Sequence, residues 1–314
     1  MVYLGPKLPA YVLDNLGYLK REFPHLNLIL ISDNPKSIEK AENIGVNTWL
    51  CPDSTELWPE LKNQISHPMN FRDGFWFLTT ARFKAIELYM AKYSLPVLQI
   101  ESDVWISPNF PFAEFLQLGD LAFPLETTVT GAASILWVPD YKNITKLTQF
   151  VVECIARNSS ETDMTILGKM ALSKSHTVYT LPTQHSELLR NNHQERIPFS
   201  GLFDPLTYGI YLLGEDSRNK RGIRTYNQSP SQHRAKPHEC EFELIDRELF
   251  VTQLEHRYPL YCLHNHSKDR SLFTKTDLTL KKKISLIRDN PWSSFQFGIF
   301  CNQLLKSMIR RIKL

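Results

Sequence analysis

Residues 95–106 read LPVLQIESDVWI, and this stretch decides the fold class that we expect for the chain. The apolar run 97–100 is followed at once by Glu101 and Asp103, which is the pattern of a buried central strand with two carboxylates at its C-terminal end. Ligands of open α/β sheets bind outside the carboxyl ends of the strands. The stretch therefore predicts a site that holds a divalent metal against a diphosphate, with a solvated acidic turn as the alternative.

Length and composition indicate a globular chain that can bury a sizeable core. It has 314 residues, of which 42% are hydrophobic and 22% are charged, and its formal net charge is +3. The small net charge and the lack of zinc-finger spacing argue against nucleic acid as a partner. Five widely spread cysteines favour reduced thiols, and the sequence shows no secretion signal and no apolar run of membrane-spanning length. We therefore expect a cytoplasmic protein.

The N-terminal part of the chain predicts the opening of a parallel sheet. The expected order is strand, helix, strand, helix, strand, over residues 1–4, 11–23, 26–31, 35–43 and 45–50. The chain has no GxGxxG motif after the first strand and no GxxxxGK[ST] motif, which argues against a nicotinamide-dinucleotide fold and a P-loop. Asp33, at the end of the second strand, is a candidate to bind a nucleotide base or ribose, or else it begins an Asx turn.

The segment that precedes the acidic stretch predicts a helix over residues 79–93, capped by Thr79 or Thr80. Arg82 would then lie in the first turn, where the helix macrodipole disfavours a cation. Either an anionic ligand or an ordinary surface position would account for this arginine.

Three positions in the middle of the chain are further candidates for a ligand site. Gly131 opens the apolar strand GAASILWV, where a small residue lets backbone or a ligand approach closely. Asp163 precedes a predicted helix over residues 165–172, either as a helix-capping acid or as a functional one. Asp204 lies in a long region, predicted to be irregular up to about residue 239, either as a substrate-binding carboxylate or as a turn residue.

The second decisive stretch is YPLYCLHNHSK, residues 258–268. A strand over residues 260–268 would place its two histidines, His264 and His266, on one face with Lys268, because side chains alternate with a period of two. Imidazole is a good ligand for manganese-like metals, and an ammonium group is a point charge for phosphate. The run therefore favours a site for a metal-bound diphosphate, with a polar strand end as the alternative.

The order of these features resembles the GT-A type of nucleotide-sugar glycosyltransferase, and most closely the family 8-like and related bacterial enzymes. Those enzymes carry a D-x-D motif, an N-a-G strand, a D-Q motif and a terminal H-x-x-G-x-x-K. The chain carries E-S-D, GAASILWV, TDMTIL and LHNHSK in the same order, and the resemblance covers roughly residues 1–270. It implies an α/β fold, namely a GT-A, Rossmann-like single domain over residues 1–275 with a mixed central sheet flanked by helices.

The resemblance also implies roles for individual residues. Asp103 would bind the metal directly, and Glu101 would reach the ribose or a metal-bound water. Lys268 would neutralise the charge of the diphosphate. Arg82 would contact the donor, and Asp163 would face the transferred sugar.

Three departures from the family pattern bear on these roles. Glu101 replaces the first aspartate of D-x-D, the spacing from His264 to Lys268 is shorter than the family's, and no K-P-W follows. Both His264 and His266 therefore stay candidate metal ligands. Asp33 and Gly131 complete the predicted nucleotide-sugar site.

These features lead us to expect a glycosyltransferase that depends on Mn²⁺ or Mg²⁺. It would move a sugar from a nucleoside-diphosphate sugar to a glycan or lipid-linked saccharide, as in polysaccharide or lipopolysaccharide biosynthesis. An inverting route also needs a carboxylate base, for which Asp163 and Asp204 are the candidates. A nucleotidylyltransferase, a nucleotide-sugar phosphohydrolase and a non-catalytic carbohydrate-binding protein are the alternatives.

Residues 276–314 differ in character and predict a basic, helical C-terminal extension. Three lysines at 281–283 precede an amphipathic segment, 293–314, with Lys306, Arg310 and Lys313 on one face. Such a tail favours peripheral contact with the anionic inner face of a membrane, where lipid-linked acceptors are found. A helix packed on the domain is the alternative.

Overall fold

The computed structural model describes residues 1–194, 198–213 and 233–266 of the chain. Within these residues the fold is mixed α/β, with helices packed on a mixed sheet, as predicted. Lys268, the predicted domain boundary at 275 and the predicted extension over 276–314 lie outside the described residues. Among the described helices, none is long and apolar enough to cross a membrane.

Helices and strands alternate through most of the described chain, and a strand-rich segment follows the last helix. The described helices are α1 (Ala10–Glu22), α2 (Pro35–Asn43), α3 (Ser54–Leu57), α4 (Pro59–Gln64), α5 (Phe75–Tyr93), α6 (Phe112–Phe115), α7 (Tyr141–Arg157), α8 (Asp163–Leu172), α9 (His185–Gln194) and α10 (Thr207–Leu213). The described strands are β1 (Ile29–Ser32), β2 (Asn47–Leu50), β3 (Val97–Ile100), β4 (Val104–Ile106), β5 (Leu121–Pro124), β6 (Ile135–Val138), β7 (Val178–Leu181), β8 (Glu241–Ile245), β9 (Glu248–Gln253), β10 (His256–Pro259) and β11 (Cys262–His264).

The predicted opening of the sheet is confirmed. β1 and β2 pair in parallel, and α2 connects them. Asn34 caps α2, because its side chain accepts a hydrogen bond from the backbone N–H of Lys36 at 2.9 Å. The predicted first strand over residues 1–4 is reduced to a single parallel bridge between Val2 and Ile31.

The largest sheet has the order β3, β6, β5, β7. β6 is antiparallel to both β3 and β5, whereas β5 and β7 are parallel. β3, β5 and β7 therefore run in the same direction and end at the same edge of the sheet. The strand predicted at 97–100 is confirmed, but its predicted central place was wrong. β3 is an outer strand of this sheet, and with one neighbour its first two residues are half-buried.

Alternate residues of this sheet contribute to two hydrophobic cores, because successive side chains point to opposite faces. Ala122 and Trp137 belong to a core that residues of α1 and α6 also form. Leu121 and Leu136 belong to a second core with residues of α5, α7 and α8. Helices therefore cover both faces of the sheet.

Helix α5 begins directly after Gly74, earlier than the predicted start at Thr79. Gly74 has a φ of 87°, a left-handed conformation that closes the preceding turn. Thr79 and Thr80 do not cap the helix, since their hydroxyls donate to the carbonyl of Trp76 inside it. Arg82 consequently lies in the third turn, and its predicted place in the first turn was wrong.

The region that was predicted to be irregular up to about residue 239 contains α9 and α10, so that prediction was wrong. After it, β8, β9 and β10 form an antiparallel meander that was not predicted. Its two turns, at residues 246–247 and 254–255, have positive φ at both central residues, as tight hairpin loops require. The strand predicted over 260–268 is shorter in the structure, because β11 ends at His264.

Candidate functional site

Two antiparallel strands bring the acidic stretch and the histidine stretch together. β11 pairs with β4, with His264 opposite Val104. The backbone N–H of Asn265 donates to the carbonyl oxygen of Asp103 at 2.7 Å. Glu101 and Asp103 lie in the turn between β3 and β4. The pairing therefore places His264 beside both carboxylates, although the two stretches are far apart in sequence.

Glu101, Asp103 and His264 form a group of potential metal ligands. One ligand atom from each residue lies within 4.8 Å of the other two. His264 Nε2 is 3.2 Å from Asp103 Oδ1, and His264 Nδ1 is 3.7 Å from Glu101 Oε2. Carboxylates suit Mg²⁺ and Mn²⁺, and imidazole suits transition metals. The structure thus brings Asp103 and His264 together, and Glu101 joins them as a possible third ligand.

His264 is buried, and its Nδ1 atom makes no hydrogen bond to the part of the chain that the structure describes. Burial lowers the pKa of its imidazole, but Asp103, Glu101 and Asp204 raise it, and the net result is a pKa of about 9. A cation at this place would compete with the ring proton. The unsatisfied Nδ1 atom lies on the side of Glu101, and the other ring nitrogen faces Asp103, an arrangement that is consistent with a cation site.

Arg82 links this group to α8. Its buried guanidinium contacts Glu101 through Nη1 and Asp163 through Nη2. Asp163 occupies the first turn of α8, where Thr162 is the cap and forms a capping box with Thr165. Burial raises the pKa of the Asp163 carboxyl, and Arg82 opposes that shift. The arginine therefore holds two of the predicted site carboxylates in place.

The side chain of Asp204 is fully buried, and both of its carboxylate oxygens accept hydrogen bonds from backbone N–H groups. Oδ1 accepts hydrogen bonds from the N–H groups of Leu206 and Tyr208, at 2.9 and 3.0 Å. Oδ2 accepts from the N–H groups of Gly209 and His264, both at 2.9 Å. Burial raises the pKa of this carboxyl, whereas the backbone donors and His264 lower it. These bonds tie the start of α10 to β11 and favour a positioning role for Asp204 over that of a catalytic base.

His266 lies next to the ligand group without joining it. Its φ of 49° places it beyond the end of β11, and its ring stacks on that of His264 with centroids 4.5 Å apart. Its Nε2 atom is 3.4 Å from the carbonyl oxygen of Leu206. Of the two candidate histidines, His264 is the one that the structure groups with the carboxylates.

Two other predicted residues, Asp33 and Gly131, are not members of the ligand group. Asp33 follows β1, and its side chain accepts a hydrogen bond from the N–H of Gly5 at 2.9 Å. A Cβ added to Gly131 would lie 2.7 Å from Cβ of Leu167 and 3.0 Å from the ring of Phe123. The packing of α8 against the sheet therefore accounts for the glycine at 131 without a ligand.

Glu126 is a carboxylate near this edge that the sequence motifs did not reveal. It follows β5, which ends at the same edge as β3, and its Oε1 atom is 3.6 Å from His233 Nδ1. Burial raises its pKa to about 7; Thr130 and His264 act to lower that pKa, and Asp204 acts to raise it. A sequence pattern that could have indicated Glu126 is an acidic residue shortly after a strand that runs in the same direction as β3.

Comparisons with known proteins leave the family of this chain open. No protein-family model, no curated protein and no solved structure matches it. A functional assignment therefore depends on the chemistry of Glu101, Asp103 and His264 and on the residues that hold them.

Proposed function

We propose that the chain is a metal-dependent glycosyltransferase with a GT-A-like domain, which transfers a sugar from a nucleoside-diphosphate sugar to a saccharide or glycolipid acceptor. The observation that supports this proposal most is the group of Glu101, Asp103 and His264, which follows the carboxyl end of β3. Ligands of open α/β sheets bind at that edge. The unsatisfied Nδ1 atom of His264 fits a cation at this group.

In this proposal Asp103 and His264 hold Mn²⁺ or Mg²⁺, and Glu101 is the third ligand. Such a cation, when bound, supplies positive charge for the leaving diphosphate. Arg82 keeps Glu101 in place, because its guanidinium contacts that carboxylate in a buried setting.

Asp163 is the candidate to face the transferred sugar and, in an inverting route, to take the proton of the acceptor hydroxyl. Asp204 is the weaker candidate for that base, since backbone N–H groups occupy both of its oxygens. Contact with nucleotide by Asp33 and Lys268, and peripheral membrane contact by the extension over 276–314, stay predictions from the sequence.

Thermal unfolding with a panel of nucleoside diphosphates and nucleotide sugars tests the proposal. Each ligand is measured with and without Mn²⁺ on the wild type, on Asp103→Asn and on Asp120→Asn. Asp120 precedes β5, at the opposite edge of the sheet, and is the matched control. A ligand at about 100 times its Kd raises the free energy of unfolding by about 2.7 kcal/mol.

We expect one nucleotide to raise the melting temperature in the presence of Mn²⁺, and we expect Asp103→Asn, but not Asp120→Asn, to abolish that shift. No shift with any nucleotide would overturn the proposal. If the bound nucleotide sugar is consumed at the same rate with and without saccharide acceptors, releasing a nucleoside monophosphate and a sugar phosphate, the chain is a phosphohydrolase instead.

A further inference from the structure

A cleft lies beside the first residues of β1 and β2, and Leu95, shortly before β3, also lines it. Its volume is about 440 Å³, within the range of small-molecule pockets. Ile29 and Asn47, the first residues of β1 and β2, line it together with Tyr89 and Tyr93 of the last turns of α5. The candidate metal site, by contrast, follows the last residue of β3. The cleft is therefore a separate place on the molecule.

One wall of the cleft is aromatic. The rings of Tyr89 and Tyr93 have centroids 4.6 Å apart with an interplanar angle of 39°. Trp49 packs edge-on against Tyr89, with centroids 5.7 Å apart, and supports it from the protein side. Tyr93 is 42% exposed, and Lys92 Nζ lies over its ring at 5.1 Å from the centroid, so part of the ring surface stays open to a ligand. Flat aromatic surface of this kind packs well against the C–H faces of a sugar ring.

Other lining residues carry polar side chains that hydrogen-bond to one another. Asn47 Nδ2 donates to Asn27 Oδ1 at 3.0 Å, and Thr48 Oγ1 donates to Glu42 Oε1 at 2.6 Å. The amide group of Asn27 and the second oxygen of Glu42 offer further donors and an acceptor beyond these bonds. Neighbouring donors and acceptors on fixed side chains are suited to the paired hydroxyls of a saccharide.

The charges of the lining residues favour one class of ligand over another. Glu42 is the carboxylate of the cleft, and its lining in the described chain includes no Lys, Arg or His. Lys92, which lies 5.1 Å from the centroid of the Tyr93 ring, is outside the lining. A phosphate or a diphosphate would therefore meet a carboxylate without a lining cation. The chemistry favours a neutral polyol.

We propose that this cleft is a binding site for a neutral saccharide, separate from the candidate metal centre. Tyr89 and Tyr93 stack on the ring, while Glu42 and Asn27 bind its hydroxyls. The proposal needs neither a nucleotide nor a metal, and it holds whether or not the chain transfers sugars.

Saturation-transfer NMR and calorimetry test the site, on the full chain in EDTA and without nucleotide. The ligands are neutral monosaccharides and short neutral oligosaccharides, and the comparison ligand is a nucleoside monophosphate. The variants are Tyr93→Ala, Tyr93→Phe and, as a control with a similarly exposed ring, Tyr141→Ala; Tyr93 is 42% exposed and Tyr141 46%. Asp103→Asn is included so that binding at the candidate metal centre is recognised.

We expect a neutral saccharide to bind with a Kd of about 1 mM. Tyr93→Ala should weaken that binding about tenfold or more, because the stacking surface is lost. Tyr93→Phe, Tyr141→Ala and Asp103→Asn should keep it. The proposal is overturned if no saccharide binds, if binding survives in Tyr93→Ala, if it is lost in Asp103→Asn, or if the nucleoside monophosphate displaces the saccharide.

Discussion

At the scale of single residues, the guanidinium of Arg82 is the positive charge that compensates two carboxylates of the candidate site. Glu101 and Asp163 both contact it, and Arg82 and Asp163 are buried. Removing one partner of a buried ion pair leaves the other charge uncompensated. The loss of stability is then larger than the net stabilisation that the intact pair provides.

Arg82→Met should therefore lower the free energy of unfolding by about 3–5 kcal/mol. Adding Asp163→Asn to Arg82→Met should recover part of that loss, because one uncompensated carboxylate disappears. Urea unfolding of both variants measures the effect. The exposed pair of Arg157 and Glu153, 3.4 Å apart, supplies the control Arg157→Met, for which we expect little change. A loss of less than about 1 kcal/mol for Arg82→Met would contradict the role given to Arg82.

Glu126 makes stability depend on pH. Burial raises its pKa from 4.5 to about 7, so between these values the folded chain holds a proton that the unfolded chain has released. Stability therefore falls as the pH rises through this window, by roughly 3 kcal/mol from this group. Asp204 and His264 act on the pKa of this carboxyl, and His233 Nδ1 lies 3.6 Å from its Oε1 atom.

Glu126→Gln removes that proton equilibrium. Relative to the wild type, the variant should gain roughly 3 kcal/mol between about pH 4.5 and about pH 8. Chemical unfolding at both pH values, with Glu153→Gln on α7 as a control for the loss of an exposed carboxylate, measures the difference. An equal offset at the two pH values would show that Glu126 ionises normally.

Some site residues could be predicted from the sequence, because their signals are local. Glu101 and Asp103 follow an apolar run, and His264 lies two residues from a second histidine, which the period of a strand places on the same side. The double ion pair of Arg82 and the burial of Glu126 could not be predicted in this way. Their surroundings come from other strands and helices, and no short pattern encodes that proximity.

At the scale of elements, Asp204 joins α10 to β11 and thereby holds the segment that carries His264. Each carboxylate oxygen accepts two backbone N–H groups. Asparagine has one acceptor oxygen, so in either orientation its NH₂ group would face two N–H donors. In Asp204→Asn, one pair of backbone N–H groups therefore faces the NH₂ group of asparagine, which is a donor, instead of an acceptor oxygen.

Asp204→Asn should lower the free energy of unfolding by about 3 kcal/mol and weaken any Mn²⁺-dependent stabilisation, because β11 is less firmly held. The matched control is Asp140→Asn. Asp140 caps α7, where asparagine is an equally good cap, so we expect a change of less than about 1 kcal/mol. Thermal unfolding of both variants, with and without Mn²⁺, provides the measurement; equal behaviour of the two variants would refute the role of Asp204.

Most helices and strands of the described N-terminal half could be predicted, since their apolar periods are regular. The meander of β8, β9 and β10 was missed for a physical reason. Hairpin turns are usually recognised by Asn-Gly or Asp-Gly, which adopt positive φ at low cost. Here the central residues are Asp246 with Arg247 and Leu254 with Glu255, all at positive φ, so the usual turn residues are absent.

At the scale of the whole molecule, an ion pair connects the meander to the N-terminal helix. Arg247, in the turn between β8 and β9, donates to both oxygens of Glu22 at the end of α1, at 2.8 and 2.9 Å. This bidentate ion pair is exposed to solvent at Arg247, so dissolved salt screens the attraction between the two charges.

Arg247→Ala should cost about 1 kcal/mol or less at low ionic strength, and almost nothing at about 1 M salt. Urea unfolding at both ionic strengths checks this. Arg157→Ala, which removes an exposed arginine that lies 3.4 Å from Glu153 on α7, is the control for loss of a surface arginine. A loss that is independent of salt would mean that Arg247 acts through packing instead.

The order of strands in the sheets could not be predicted, because it is decided by which elements pack together along the whole chain. The acidic stretch was expected on a central strand and lies on an outer one, β3. The turn after β3 leads into β4. Because β4 pairs with β11, that turn lies near a strand from the other end of the described chain.

This pairing has a consequence for synthesis on the ribosome. Arg82, Glu101, Asp103 and Asp163 leave the exit tunnel well before His264, and domains fold as their chain emerges. A nascent chain that has emerged as far as α8 contains the residues of the cluster of buried charges, yet it lacks the imidazole. The three-ligand group can therefore be completed only after β11 has been translated, so a nascent chain interrupted before β11 would have the acids without the histidine.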